Sequence, residues 1–124
     1  MASLTVVGGP SEGDYYPLGK RTMVIGRDEG VPIQIVDEMV SRKHCQIHCA
    51  ESDGEMQFQL LDMNSANGVV VNGRRITDVW LADNDIIDIG NSKLMFSNQD
   101  FEDRESALHH YKKRGERDKN TMVS

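Results

Sequence analysis

The chain has 124 residues, 38% hydrophobic and 27% charged, with two cysteines and a net charge of −6. That length suits one domain with a core of ordinary size, two cysteines make no disulfide framework, and an acidic body is a poor ligand for nucleic-acid phosphates. No apolar run approaches the ~20 residues that cross a bilayer, and the start MASLTVV lacks the basic region and long apolar core of a signal peptide, so the expected setting is the reducing cytoplasm, with neither nucleic acid nor membrane as a partner.

Short strand-like runs follow one another from the N-terminus. Ser3–Val7 is β-rich and ends in the turn GGPSEGD. Tyr15–Leu18, Arg21–Gly26 and Pro32–Val36 come next, each bounded by Gly or Pro. His44–Ala50 and Met56–Leu61 flank Asp53-Gly54, a tight-hairpin signal, and Val69–Val71 and Arg74–Ile76 flank a second one, Asn72-Gly73. NDIIDIG and SKLMFS close the series around Gly90-Asn91. These make about ten strands with no helix-period segment before residue 100, so an all-β sandwich over 1–99 is expected.

The rest, 100–124, reads as a charged C-terminal tail. Acidic residues come first and basic ones later, an order that complements a helix dipole. Asp100 is a cap and Gly115 a stop, which predicts a helix over about 100–114 and disorder beyond. Its apolar stripe is only Phe101, Leu108 and Tyr111, so this helix is marginal alone. Residues 1–99 hold 8 basic and 14 acidic side chains and thus the whole net charge. An anion site on such a body must be local, built from a few basic groups.

The run SRKHCQIHC, Ser41 to Cys49, has the residue types of a metal site. On a strand, however, His44, Gln46 and His48 share one face and Cys45, Ile47 and Cys49 the other. The two cysteines would lie ~13 Å apart at the usual rise, beyond the ~7 Å that a disulfide tolerates. Ligands ~2.0–2.3 Å from zinc cannot converge from opposite faces. Cys45, Ile47 and Cys49 are therefore expected in the core, with no metal and no cofactor.

Enzyme motifs fail on their spacing. Ser41, His44 and Asp62 have triad residue types but no G-x-S-x-G elbow. LGKRT has Arg21 where a phosphate-binding loop needs Ser or Thr, and Asp14 where it needs Gly. DMNSANG has Asn67 where a calcium loop needs Gly, and Gly73 where it needs Glu. The expectation is a protein that is not an enzyme.

Three loop-edge clusters remain: Gly26-Arg27, Ser41-Arg42-Lys43 and Ser65-Ala66-Asn67-Gly68. Brought to one end of a sandwich, they would offer guanidinium forks, a hydroxyl, an ammonium and an amide. That set suits a phosphate carried on a peptide: Arg grips the dianion, hydroxyl and backbone N–H groups complete the cradle, and the amide pairs with the ligand's main chain. Each residue also has a plainer reading. Arg27 has Asp28 and Glu29 as surface ion-pair partners, Lys43 and His48 read as exposed, and Ser41 as a loop cap.

In order and spacing, VIGR (Val24 to Arg27), SRKHCQI (Ser41 to Ile47), DMNSANG (Asp62 to Gly68) and VNG (Val71 to Gly73) resemble the forkhead-associated (FHA) domain family over roughly residues 3–98. The resemblance implies an eleven-stranded β-sandwich of two twisted, mostly antiparallel sheets that binds phosphothreonine peptides through loops at one end. By position it makes Arg27 the phosphate-gripping arginine and Ser41 the hydroxyl on the phosphate. Arg42 becomes a peptide or phosphate contact, and Asn67 the group that bonds the peptide main chain. It makes His44 a brace that does not touch ligand, gives Gly26, Gly68, Asn72 and Gly73 turn roles, and has Asp62 and Ser65 support the loop before Asn67.

Ala66 departs from the family's frequent threonine and loses a hydroxyl that assists phosphate binding, a loss that weakens affinity unless Lys43 offsets it. The loops at Asp28–Pro32 and Asn64–Ala66 would read the positions after the phosphothreonine. The expected function is a non-catalytic phosphothreonine-peptide reader in Ser/Thr kinase signalling. Its partner would be a threonine-phosphorylated protein, such as a kinase or its substrate, or the chain's own tail once Thr121 is phosphorylated. The alternative is a phospho-independent interaction scaffold.

Overall fold

A computed structural model describes residues 2–98. The expected tail helix over 100–114 and Thr121 lie outside the described residues. Eleven strands run in order: β1 Ser3–Gly8, β2 Tyr15–Pro17, β3 Met23–Gly26, β4 Ile33–Gln34, β5 Cys45–Ser52, β6 Glu55–Asp62, β7 Val69–Val71, β8 Arg74–Ile76, β9 Asp78–Trp80, β10 Ile86–Ile89 and β11 Ser92–Ser97. One sheet has six strands in the order β2-β1-β11-β10-β7-β8, the other five in the order β4-β3-β5-β6-β9. They form the sandwich that the sequence implied. All pairings are antiparallel except β3 with β4, where Ile25 and Ile33 face each other in parallel register.

Two hairpin signals set the local register. Asp53 and Gly54 both have positive φ and join β5 to β6, with Ser52 opposite Glu55. Asn72 and Gly73 do the same for β7 and β8, with Val71 opposite Arg74. Positive φ at both central residues is the type I′ turn, whose twist matches the flanking strands. The core fills between the sheets from alternate positions. Ile25, Cys45, Ile47 and Leu60 come from one sheet, and Leu4, Val6, Ile87, Leu94 and Phe96 from the other, all at 2% exposure or less. Phe58 and Phe96 pack across it with ring centroids 5.6 Å apart, in the range of favourable tilted aromatic pairs.

Two local expectations need correction. Residues 78–80 form a strand that the sequence reading passed over, β9, paired to β6 through Leu60 and Val79. His44, expected on one strand face with Gln46 and His48, lies outside β5. It precedes the first residue of β5 and is fully buried, while His48 is exposed. The cysteines lie where alternation put them: Cys45 is fully buried and Cys49 half-buried against the core.

Candidate functional site

The end of β3, the 35–44 connection and the 63–68 connection are laced together by hydrogen bonds. The β3–β5 ladder continues past both strand ends. Arg27 N donates to Ser41 O at 3.0 Å, Asp28 N to Arg42 O at 3.2 Å, and His44 N to Ile25 O at 2.9 Å. This close approach is why position 26 is glycine. A Cβ there would meet the Arg42 carbonyl oxygen at 2.0 Å, well inside van der Waals contact.

His44 ties this pair to the third segment. Its Nδ1 accepts the Ser41 N–H at 3.0 Å, and its Nε2 lies 2.7 Å from Gly68 O. A carbonyl oxygen only accepts, so Nε2 carries the proton and the ring is the neutral Nε tautomer. Met63 N donates to His44 O at 3.0 Å, so backbone and ring both clamp the loop. Asp62 and Ser65 brace it from within: Asp62 Oδ1 accepts Ser65 N–H at 3.1 Å, and Ser65 Oγ accepts Gly68 N–H at 3.0 Å.

On this frame the exposed polar groups converge. Arg27 Nε donates to Val40 O at 3.0 Å, which fixes the guanidinium at the mouth. Asn67 Nδ2 donates to the neighbouring carbonyl, Met39 O, at 2.8 Å. Ser41 Oγ accepts Ala66 N–H at 3.1 Å. A hydroxyl that accepts one bond keeps its own proton to donate, so bracing the loop leaves Ser41 able to bond an anion. Arg42 and Lys43 are exposed, and their side chains make no hydrogen bond or ion pair among the described residues. Arg27 likewise has no ion pair there with Asp28 or Glu29. Hydrogen bonds to the 39–41 segment thus bring Arg27, Ser41, Ala66 and Asn67 to one mouth, braced by Gly26, His44, Asp62, Ser65 and Gly68; Arg42 and Lys43 follow Ser41 in the chain, and no contact among the described residues ties their side chains to it.

Asn72 and Gly73 are not in that group. They sit at the other end of β7 from Gly68, where Asn72 Oδ1 accepts Ile86 N–H at 2.9 Å and its Nδ2 donates to Asp85 at 2.8 Å.

A groove of about 420 Å³ opens beside Arg27, lined by Pro10, Val36, Asp37, Glu38 and Asn91 along with the arginine. It draws on the β1–β2 and β10–β11 turns, which the sequence reading left out, while the Asp28–Pro32 loop gives it no wall. Asp37 pins its floor. The carboxylate accepts Met39 N–H at 2.9 Å, Asn91 N–H at 2.9 Å and the Ser92 hydroxyl at 2.7 Å. Burial works to raise the Asp37 pKa, but these hydrogen bonds, from Ser92 first, outweigh it and hold the group below the usual aspartate value. No cluster of three or more potential metal ligands occurs among the described residues, and no helix among them is long and apolar enough to cross a membrane.

Comparison with known proteins gives a consistent picture. The FHA domain family model matches residues 23–90. The chain is 33% identical over 93 residues to the FHA domain-containing protein FhaA of Mycobacterium tuberculosis, covering 75% of this chain and 17% of that protein. It is 35% identical over 95 residues to the glycogen accumulation regulator GarA of Mycolicibacterium smegmatis, covering 77% of this chain and 58% of that protein. Thus it spans less than two thirds of either relative. A structure solved in a structural and functional analysis of phosphothreonine-dependent FHA domain interactions superposes with a TM-score of 0.69 at 30% identity, covering 81% of this chain and 98% of that one.

Proposed function

The chain belongs to the FHA domain family, a non-catalytic phosphothreonine-binding module, and we propose that its ligand is held at the mouth bordered by Arg27, Ser41, Arg42, Lys43, Ala66 and Asn67. The observation that carries this assignment is the lacing of three separate loops that brings a fixed arginine, a hydroxyl with a spare proton and an amide to one edge. Arg27 and Arg42 supply the positive charge a phosphate dianion needs, as guanidinium forks that match its oxygens. Ser41 adds a short O–H donor. Asn67 spends one N–H on Met39, which orients the amide and leaves its oxygen and second N–H for a peptide backbone. Lys43 adds charge where Ala66 brings no hydroxyl. His44, Asp62, Ser65, Gly26 and Gly68 hold these groups and do not touch the ligand, while Asn72 and Gly73 set the hairpin behind them.

The partner is accordingly a threonine-phosphorylated protein in the cytoplasm, such as a Ser/Thr kinase or its substrate, or this chain's own segment at Thr121 once phosphorylated. A phospho-independent scaffold is the second reading. Ala66 favours it, as does Trp80, which is 52% exposed on the outer face of the five-stranded sheet, opposite Gln59. Pull-downs with a threonine-phosphorylated peptide and its unphosphorylated twin separate the two: retention of only the first supports the reader, and equal retention supports the scaffold.

A further inference from the structure

Arg75 is exposed on β8, the edge strand of the six-stranded sheet. Its row across that sheet runs Arg75, Val70, Asp88, Lys93. Asp88 is the first acidic residue in the row, and it is already paired with Lys93 at 3.5 Å. Arg75 does not extend toward it. The guanidinium lies against Gly68, so that a Cβ on Gly68 would fall 2.8 Å from Nε and 2.9 Å from Cζ and Nη2. Gly68 adopts φ +80°, and its lack of a side chain is what gives the guanidinium this place. Arg75 makes no ion pair among the described residues.

A positive fork is thus held beside Gly68, the residue that follows Asn67, on a chain of net charge −6. Among the described residues no acidic side chain pairs with Arg75, and a guanidinium packed on one side against backbone has lost part of its water. An anion from a ligand would restore both. The phosphate does not need it, because Arg27, Ser41 and Arg42 already form a cradle on neighbouring loops.

We propose that Arg75 is a second anion-reading residue, which receives an Asp or Glu side chain flanking the phosphothreonine on the side of the peptide that runs past Asn67. The inference rests on the mouth being the phosphothreonine site. A planar fork meets a carboxylate through two parallel hydrogen bonds, which gives orientation as well as charge. Arg75 would therefore set which phosphothreonine sequences bind, and Arg27 whether phosphate is bound.

The test is a set of phosphothreonine peptides, neutral except for one Asp placed at each flanking position in turn, titrated against wild type, Arg75→Gln and Arg75→Glu. The quantity read is the ratio of affinities for the Asp-bearing and neutral peptides. In wild type one flank should show a ratio of roughly two to five, the range of an exposed ion pair. Arg75→Gln should bring that ratio to about one, and Arg75→Glu should bring it below one. A wild type that binds phosphothreonine peptides without preferring an acid at any position would overturn the inference. So would a preference that survives Arg75→Gln, or a loss equal for every peptide, which would make Arg75 only a cover for Gly68. Failure of wild type to distinguish phosphorylated from unphosphorylated peptides would instead remove the site reading, and this inference with it.

Discussion

His44 donates from Nε2 to the carbonyl oxygen of Gly68 at 2.7 Å, a buried bond that joins the loop carrying Ser41 to the loop carrying Asn67 alongside the Ser41–Ala66 and Asn67–Met39 bonds. Replacing His44 with Ala strands the Gly68 carbonyl and, on the other side of the ring, the Ser41 N–H, and it leaves a cavity at a fully buried site. Unsatisfied buried groups cost about 1–3 kcal/mol each. His44→Ala should therefore lower unfolding stability by about 2–4 kcal/mol, read as a fall in the urea midpoint. It should also weaken phosphopeptide binding, although the ring touches no ligand. Stability within 0.5 kcal/mol of wild type, about the noise of a neutral surface change, would show the ring to be dispensable.

Gly26 gives a sharper steric test. The Arg42 carbonyl stands 2.0 Å from where a Cβ would be, and it is backbone held by Asp28 N. Gly26→Ala must push the β3 end away from the 41–43 segment. A loss of about 2 kcal/mol or more is expected, in the range of overpacking penalties, with affinity for phosphopeptide falling alongside. Gly54 is the control, because open space surrounds its Cβ position and only its φ of +79° resists substitution.

Asp37 predicts a pH dependence. Its folded pKa lies below the ordinary value of 3.8 because hydrogen bonds from Ser92, Met39 and Asn91 outweigh burial. A group depressed on folding contributes stability that is fully present above its unfolded pKa and is lost as pH falls through the folded one. Wild type should exceed Asp37→Asn by a constant margin at neutral and mildly acidic pH, and that margin should shrink as pH falls below 3.8. Urea unfolding of both proteins across that window is the measurement, and a margin unchanged by pH would rule out the ionised pin.

The thiols should behave differently from each other. Burial, with the nearby charge of Asp62 second, pushes the Cys45 thiol far above its usual range, and the side chain is fully buried. The thiolate is the reactive form. A thiol reagent applied to the native protein should label the half-buried Cys49 and leave Cys45 until the protein unfolds. Labelling of Cys45 at an equal rate would mean that β5 opens readily.

How much of this was legible in the sequence differs by kind of interaction. Side-chain alternation in Cys45–Cys49 and the Asp53-Gly54 and Asn72-Gly73 pairs carry local signals, and the structure follows them. Residues 78–80 carry almost none: three residues ending in an exposed tryptophan satisfy no period, and pairing with Leu60 makes them a strand. The parallel β3–β4 pairing is likewise a tertiary outcome. His44 was assigned its neighbours' face because strand alternation was extended one residue too far.

At the mouth, residue types and spacing named Arg27, Ser41 and Asn67, but the acceptors that fix two of them are the carbonyls of Val40 and Met39. Main-chain carbonyls exist at every position and leave no trace in a sequence. Asp37 escaped notice for a related reason, since two of its three donors lie more than fifty residues away. The hairpin register could have put Arg75 opposite Val70, but its lean onto Gly68 is a matter of side-chain packing.

The most direct test of the central claim is calorimetric titration of one threonine-phosphorylated peptide and its unphosphorylated twin into wild type and Arg27→Ala. Hydrogen bonds to charged groups contribute about 1.5–3 kcal/mol each, and about 1.4 kcal/mol is a factor of ten. Wild type should bind the phosphorylated peptide alone, and Arg27→Ala should weaken that binding at least about tenfold. Equal binding of the two peptides, or an affinity unmoved by the loss of Arg27, would contradict that claim.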